Sequence, residues 1–224
     1  MKLTSFTLLP LAFLAMGNLH AEPAVASGAK IRVACVGDSI TQGAGADAGK
    51  SYPSQLQEIL GPKYEVGNFG VSGRTLLNKG DLPYTKEPAY QQARDFKPDA
   101  VIIMLGTNDT KPQNWKHKDE FAADYKALVT SFKTLESRPQ IFVCRPCPVP
   151  EPGNFGITEA NVKLEIPMID KLAEEEKLEV IDMHAALEAT PNLLPDRVHP
   201  NTEGARVMAA TAAKAVTAKV LQAR

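Results

Sequence analysis

The chain is short of almost everything that marks a cross-linked scaffold or a specialised surface. Its 224 residues include three cysteines, one tryptophan and a 6% share of aromatics, and the formal net charge is −1. Three cysteines cannot staple a fold of this size, so stability must come from a buried core, and the length suffices for one sizeable α/β domain. No basic stripe or lysine-rich tail is present, which argues against nucleic acid as a partner. No internal repeat, low-complexity tract or linker divides the chain. No apolar run reaches the roughly 18 residues that a spanning helix needs. Zinc spacings such as H-E-x-x-H are missing as well, so no metal is implied.

One end departs from this plain composition. Met1-Lys2 is followed by LTSFTLLPLAFLAMG and then by Leu19-His20-Ala21. A positive start, a short apolar middle and a small residue before a cut are the layout of a secretory signal peptide. Residues 1–21 are read as that segment, cut after Ala21, leaving 22–224 as an exported domain in the periplasm or outside the cell. No cysteine follows the cut to take a lipid, so no membrane attachment is expected after cleavage. Cys35 lies in an apolar strand pattern and reads as a small buried residue. Cys144-Arg-Pro-Cys147 is a C-x-x-C, but a redox pair draws its reactivity from a helix N-terminus, which Pro148-Val-Pro150 cannot supply. An oxidising compartment would still allow a local Cys144–Cys147 disulfide.

Short apolar strand patterns alternate with helical ones. The strands are expected at Ile31–Val36, Tyr64–Asn68, Ala100–Leu105, Gln140–Cys144 and Glu179–Ile181. Helical spacing runs through Tyr52–Leu60, Pro88–Phe96, Lys118–Glu136, Thr158–Lys177 and Thr202–Leu221, the last opened by Asn201 or Thr202. Gly61-Pro62 and Lys97-Pro98 should stop the first two, and Pro167 should kink or split the fourth. Near-continuously apolar strands separated by helices indicate a parallel sheet covered on both faces, with chemistry outside the strands' carboxyl ends. The informative loops therefore follow Val36, Asn68, Leu105, Cys144 and Ile181.

The first of these, GDSITQGAGADAGKS (Gly37 to Ser51), carries two competing chemistries. Ala44 to Ser51 approaches the phosphate-cradling G-x-x-x-x-G-K-[ST] loop, but its first glycine position is Ala44, and the flanking Gly43 and Gly45 are out of register. Ser39 instead offers a nucleophile, which needs a base, an orienting carboxylate and donors for an oxyanion. After signal removal the candidate bases are His117, His184 and His199. His117 sits in the charged stretch WKHKDE, and His184 follows the last strand as a packing or capping residue would. His199 stands in Asp196-Arg-Val-His199-Pro200, where a carboxylate three residues ahead can reach Nδ1 and leave Nε2 for the serine. By itself D-x-x-H also describes an ordinary surface pair. Val71-Ser72-Gly73-Arg74-Thr75 and Gly106-Thr107-Asn108-Asp109 follow the second and third strands. With the N–H of Ser39, a Gly73 N–H and an Asn108 amide would place three donors at adjacent strand ends.

GDSITQG, FGVSGRT, GTND and DRVHP, in that order, resemble the four sequence blocks of the SGNH (GDSL) hydrolase superfamily, and the resemblance runs from Gly37 to Pro200 with no departure inside the blocks. It implies a flavodoxin-like three-layer α/β/α sandwich around a five-stranded parallel sheet. By motif it implies Ser39 as nucleophile, His199 as general base and Asp196 as its orienting carboxylate, with Ser39, Gly73 and Asn108 as the oxyanion hole. The common G-x-S-x-G elbow is excluded, because position 41 is threonine. The GAGADAGKS segment is left as a flexible connection into the next helix. The implied reaction is ester hydrolysis through an acyl-serine, with no metal and no organic cofactor.

The longer stretches NFGVSGRTLLNKGDLPY, MLGTNDTKPQNW and PDRVHPNTEGA look like those of bacterial carbohydrate O-acetylesterases, both sialate O-acetylesterase-like and acetylxylan-esterase-like. A small-molecule or polysaccharide ester outside the cytoplasm is therefore the expected substrate. A lysophospholipase, thioesterase or arylesterase would use the same residues, and a non-catalytic carbohydrate-binding relative would not need them all. Asp38 and Asp109 read as loop-bonding carboxylates. Arg74 suits an anionic substrate or a solvated loop. Trp115 and Tyr84 suit either a sugar platform or packing.

Overall fold

The computed structural model describes Met1 and residues 28–220. Residues 2–21 of the expected signal segment, and Leu221, lie outside them. Five strands are formed: β1 (Ile31–Gly37), β2 (Tyr64–Gly70), β3 (Ala100–Met104), β4 (Gln140–Arg145) and β5 (Glu179–Asp182). All pairings are parallel, in the order β2-β1-β3-β4-β5. This is the flavodoxin-like order, in which the chain reverses its direction of growth between β1 and β3 and opens a crevice at their carboxyl ends. Gly37 pairs with both Gly70 and Met104, so three strand ends finish level at that crevice.

The pleat explains why the strands are apolar at nearly every position, since successive side chains enter opposite faces. Val33 and Cys35 of β1, Ile102 and Met104 of β3, and Phe142 of β4 fill one core. Ala34 and Val36, Val101 and Ile103, and Ile141 and Val143 fill the other. The first core is closed by α2 (Tyr52–Leu60), α7 (Met183–Glu188) and α8 (Thr202–Val220), and the second by α3 (Pro88–Asp95), α5 (Phe121–Lys133) and α6 (Glu159–Glu176). Two single-turn helices, α1 (Ser39–Gln42) and α4 (Pro112–Trp115), lie in the loops at the strand ends.

Ser51 caps α2, Gly61 ends it at φ +73°, and Thr158 caps α6. Asn201 opens α8 by accepting from Gly204 N at 2.9 Å. The fourth helix is not split at Pro167. Pro167 is on the exposed face, and Val162, Glu165, Ile169 and Leu172 stay buried on either side, so packing carries the helix past one missing hydrogen bond. Helix α5 is shorter than its sequence pattern, because Lys118–Glu120 winds as a 3₁₀ turn before it.

The Cys144–Cys147 disulfide is not formed. Cys35, Cys144 and Cys147 are all free and buried. Cys144 and Cys147 belong to the first core, where the Cys147 thiol lies 3.8 Å from Met208 Sδ. Burial raises all three thiols, that of Cys35 to about 12, which also removes the redox reading. Among the described residues, no helix is long and apolar enough to cross a membrane.

Candidate active site

The chain leaves β1 through Asp38, whose carboxylate accepts the Ile40 N–H at 2.9 Å and so caps α1. That cap fixes Ser39 as the first helical residue, nearly buried at 8% exposure, directly over the crevice. On the other side, Pro200 follows a turn closed by Arg197 N to Leu194 O at 2.8 Å. Asp196 organises that turn, since its Oδ1 accepts the N–H groups of Val198 at 2.9 Å and His199 at 2.7 Å. Its other oxygen, Oδ2, lies 2.7 Å from His199 Nδ1, and His199 Nε2 lies 3.0 Å from Ser39 Oγ. A carboxylate can only accept, so Nδ1 carries the proton and Nε2 is left bare to accept from the serine hydroxyl. Partial burial works against ionisation of Asp196, but the His199 N–H and ring and the Val198 N–H hold its carboxyl below the usual range.

Gly73 lies in the turn after β2, at φ +80°. The backbone N–H groups of Ser39 and Gly73 have no acceptor among the described residues. Asn108 is different. Its side-chain amide already donates to Asp38 Oδ2 at 3.1 Å and to the Arg74 carbonyl at 3.2 Å. In the resting site the Asn108 amide is thus held between the Ser39 loop and the Gly73 loop. Ser39, His199, Asp196, Gly73 and Asn108 are thus brought together from four separate loops.

The GAGADAGKS connection is pinned rather than flexible. Asp47 N donates to Thr202 Oγ1 at 2.9 Å, and that hydroxyl donates back to Asp47 Oδ2 at 2.7 Å. A Cβ on Gly45 would stand 2.8 Å from His199 Cβ and 2.7 Å from the Pro200 carbonyl, so this glycine lets the loop seat against the histidine turn. The remaining residues singled out in the sequence serve structure. Asp109 accepts the N–H groups of Leu76 and Leu77 at 2.9 and 2.7 Å. Arg74 pairs with Glu87 at 2.8 Å. Tyr84 is fully buried and donates to the Phe69 carbonyl at 2.7 Å. Trp115 packs edge-on against Phe121. His184 is buried 2.8 Å from Glu159, and His117 is half-buried away from the cleft lining.

The cleft above Ser39 has a volume of about 260 Å³. Phe155, Ile157 and Val198 line it, and the Phe155 ring lies 5.6 Å from the His199 ring. Phe155 and Ile157 come from a tight hairpin after β4, in which Asn154 and Ile157 exchange backbone hydrogen bonds. Asn154 Nδ2 also donates to the Asp196 carbonyl at 2.9 Å, tying that hairpin to the histidine turn. The only signal for it in the sequence is PGNFG, a cluster of turn formers after the fourth strand.

Three buried carboxyls accompany these loops: Asp38 precedes Ser39, Asp109 follows Asn108, and Glu165 lies against Gly106. Burial raises Asp38 to about 6 and Asp109 to about 7, and it also raises Glu165 of α6 well above the usual carboxylate range, with Asp109 and Asp38 adding to it. Neither Glu165 oxygen has a hydrogen-bond partner among the described residues. Its head occupies the space where a Cβ on Gly106 would stand, 1.5 Å from Oε1. Unfolded carboxyls titrate near 4, so these groups favour the folded state most below that pH, and their contribution is lost as pH rises through about 6 and about 7. Asp196 and Glu159 are lowered and act oppositely, losing their contribution as pH falls below about 4. The thermal midpoint is expected to peak between about pH 4 and 6 and to fall toward pH 8. In Glu165→Gln that alkaline fall should be shallower when followed by calorimetry. An equal slope would remove Glu165 from the account.

Residues 35–207 match the GDSL-like lipase/acylhydrolase family. The chain is 41% identical over 207 residues to an acetylxylan esterase of Xylanibacter ruminicola, a similarity covering 83% of this chain and 43% of that protein. It therefore spans less than half of that relative's length. A carbohydrate acetylesterase structure from Sinorhizobium meliloti shares 25% identity at a TM-score of 0.68, over 84% of this chain and 99% of that one. The aryl esterase of M. smegmatis, at 24% identity and a TM-score of 0.67 over 85% and 99% of the two chains, shares the fold. With nearly all of the sheet and every loop of the crevice inside the matched span, the chain belongs to the GDSL-like lipase/acylhydrolase family.

Proposed function

We propose that the protein is an exported serine esterase that removes O-acetyl groups from carbohydrates through an acyl-enzyme. The observation that carries this is the continuous relay from Asp196 through His199 to Ser39, opening into a small cleft with two unbonded backbone N–H groups. In this reading His199 Nε2 takes the Ser39 proton as Oγ attacks the ester carbonyl. The developing oxyanion settles against the N–H groups of Ser39 and Gly73 and an N–H of the Asn108 amide. The alcohol leaves with the proton from His199, and water repeats the sequence on the acyl-serine. The serine, the imidazole and the donors supply every group the reaction needs, so no cofactor enters.

Asn108 makes its stabilising contact in the transition state rather than the ground state. Its resting bonds to Asp38 and Arg74 hold the amide ready. Asn108→Ala is expected to lower kcat by about 10²–10³ with little change in KM. A comparable rise in KM with unchanged kcat would assign Asn108 to substrate binding instead.

The cleft's size favours a short acyl group, and the acetylesterase relatives support the carbohydrate class. The test is hydrolysis of p-nitrophenyl acetate, butyrate and octanoate, beside acetate release from acetylated xylan. The expected result is release from xylan and a kcat/KM that falls about 10-fold or more from acetate to octanoate. Preference for octanoate would replace the sugar reading with a lipid or thioester one. Inertness toward all of them would point to a binding role.

A further inference from the structure

Among the described residues, Lys111 is the only one lining the cleft that carries a fixed charge. It follows the Asn108 loop as the residue preceding α4, and among the described residues its ammonium forms no ion pair and no side-chain hydrogen bond. Its stem packs against the Phe155 hairpin, since a Cβ on Gly156 would stand 4.0 Å from Lys111 Cγ and 3.5 Å from Pro112 Cδ. The charge is felt beside the nucleophile: Lys111 is among the groups that favour the ionised form of Asp38. Phe155 is 55% exposed although it sits in the left-handed region at φ +52°. A bulky residue held there, open to solvent and beside the His199 ring, is fixed by its hairpin rather than by burial.

The position of these two residues along the reaction follows from the proposed esterase mechanism, on which this inference rests. His199 delivers its proton to the departing alcohol, so that half of the substrate must lie within reach of Nε2 and hence beside Phe155. Lys111 lines the same cleft, with its stem against the Phe155 hairpin. We propose that the alcohol half is a saccharide carrying a carboxylate, with its ring seated on Phe155 and its acid paired with Lys111. An apolar ring face suits the C–H surface of a pyranose, and an unpaired ammonium in a half-closed cleft favours an anion over a hydroxyl. The carboxylate is either on the acetylated ring or on its neighbour.

Two matched pairs of substrates separate those sources. The first is a mono-O-acetylated methyl galacturonoside against the galactoside. The second is an acetylated xylotriose with and without a glucuronic acid branch. In wild type, kcat/KM is expected to favour the acidic member of one pair by about 10- to 100-fold, the range expected for one hydrogen bond to a charged group. The pair that shows it identifies the ring. In Lys111→Glu the acidic-to-neutral ratio should fall to one or below, in Lys111→Met it should approach one, and in wild type it should shrink as salt rises. No acidic preference in wild type, or a preference that survives Lys111→Glu in a protein with unchanged circular dichroism, overturns the proposal. p-Nitrophenyl acetate serves as the separate control: if wild type leaves it intact, the esterase reading falls and takes this inference with it.

Discussion

Ser39→Ala is expected to lower kcat on p-nitrophenyl acetate by about 10⁵–10⁶ while leaving the fold intact, a loss of the size seen when one member of a serine–histidine unit is removed. Among the described residues the Ser39 hydroxyl makes a single hydrogen bond, to His199 Nε2, and neither partner depends on it for its place. Asp196 holds His199, and the Asp38 carboxylate caps α1 through Ile40 whatever residue stands at position 39. Alanine is also the best helix former, so the thermal midpoint should move by less than the equivalent of about 1 kcal/mol. Residual activity would come from the N–H groups of positions 39 and 73, which alanine retains, acting on water. His199→Ala should cost about as much, and the double variant little more, because the two act as one unit. A double variant whose losses multiplied would mean that Ser39 and His199 contribute independently, and the acyl-enzyme scheme would fail. A Ser39→Ala protein that kept a tenth of its activity would do the same more simply.

The sequence made the sheet legible for a physical reason. Strands buried on both faces must be apolar at nearly every position, so Ile31–Val36, Ala100–Leu105 and Gln140–Cys144 stand out without any periodicity, each within a residue of the strand formed. The loops that approach Ser39 were legible for another reason: each needs residues with special backbone or side-chain chemistry, such as Gly73 at positive φ, or Asp196 bonding two N–H groups within its own turn. What stayed hidden depends on contacts between distant segments. Phe155 looks like any loop aromatic until the hairpin is docked on Asp196 through Asn154. Trp115 and Tyr84 were equally plausible walls until packing on Phe121 and full burial removed them from the cleft. Glu165 reads as a polar residue on an amphipathic helix, and only the close approach of Gly106 reveals it as a buried acid. The GAGADAGKS loop reads as flexible in sequence, but Gly45 serves a close approach to His199, which local sequence does not distinguish from freedom.

Asp196→Asn tests whether this carboxylate acts by fixing a tautomer or merely by shaping a turn. Its two oxygens do separate jobs: Oδ1 receives the backbone N–H groups of Val198 and His199, and Oδ2 receives the ring proton on Nδ1. Asparagine can keep its carbonyl toward the backbone, so the turn and the ring position survive. The amide then faces Nδ1 as a donor, Nδ1 must accept, and the ring proton moves to Nε2. That nitrogen, 3.0 Å from Ser39 Oγ, would offer a proton where the reaction requires it to take one. A loss of about 10⁴ in kcat at neutral pH is expected, with a midpoint close to that of the wild type. Asp196→Ala is the necessary companion, because it removes the backbone acceptor as well and should also loosen the turn. If Asp196→Asn is nearly as active as wild type while Asp196→Ala is inactive, Asp196 is a turn-former only, and the orientation of His199 must come from the Gly45 contact and the Phe155 ring. If both lose activity but only Asp196→Ala loses stability, the two jobs are separate, and the tautomer is the one that catalysis depends on.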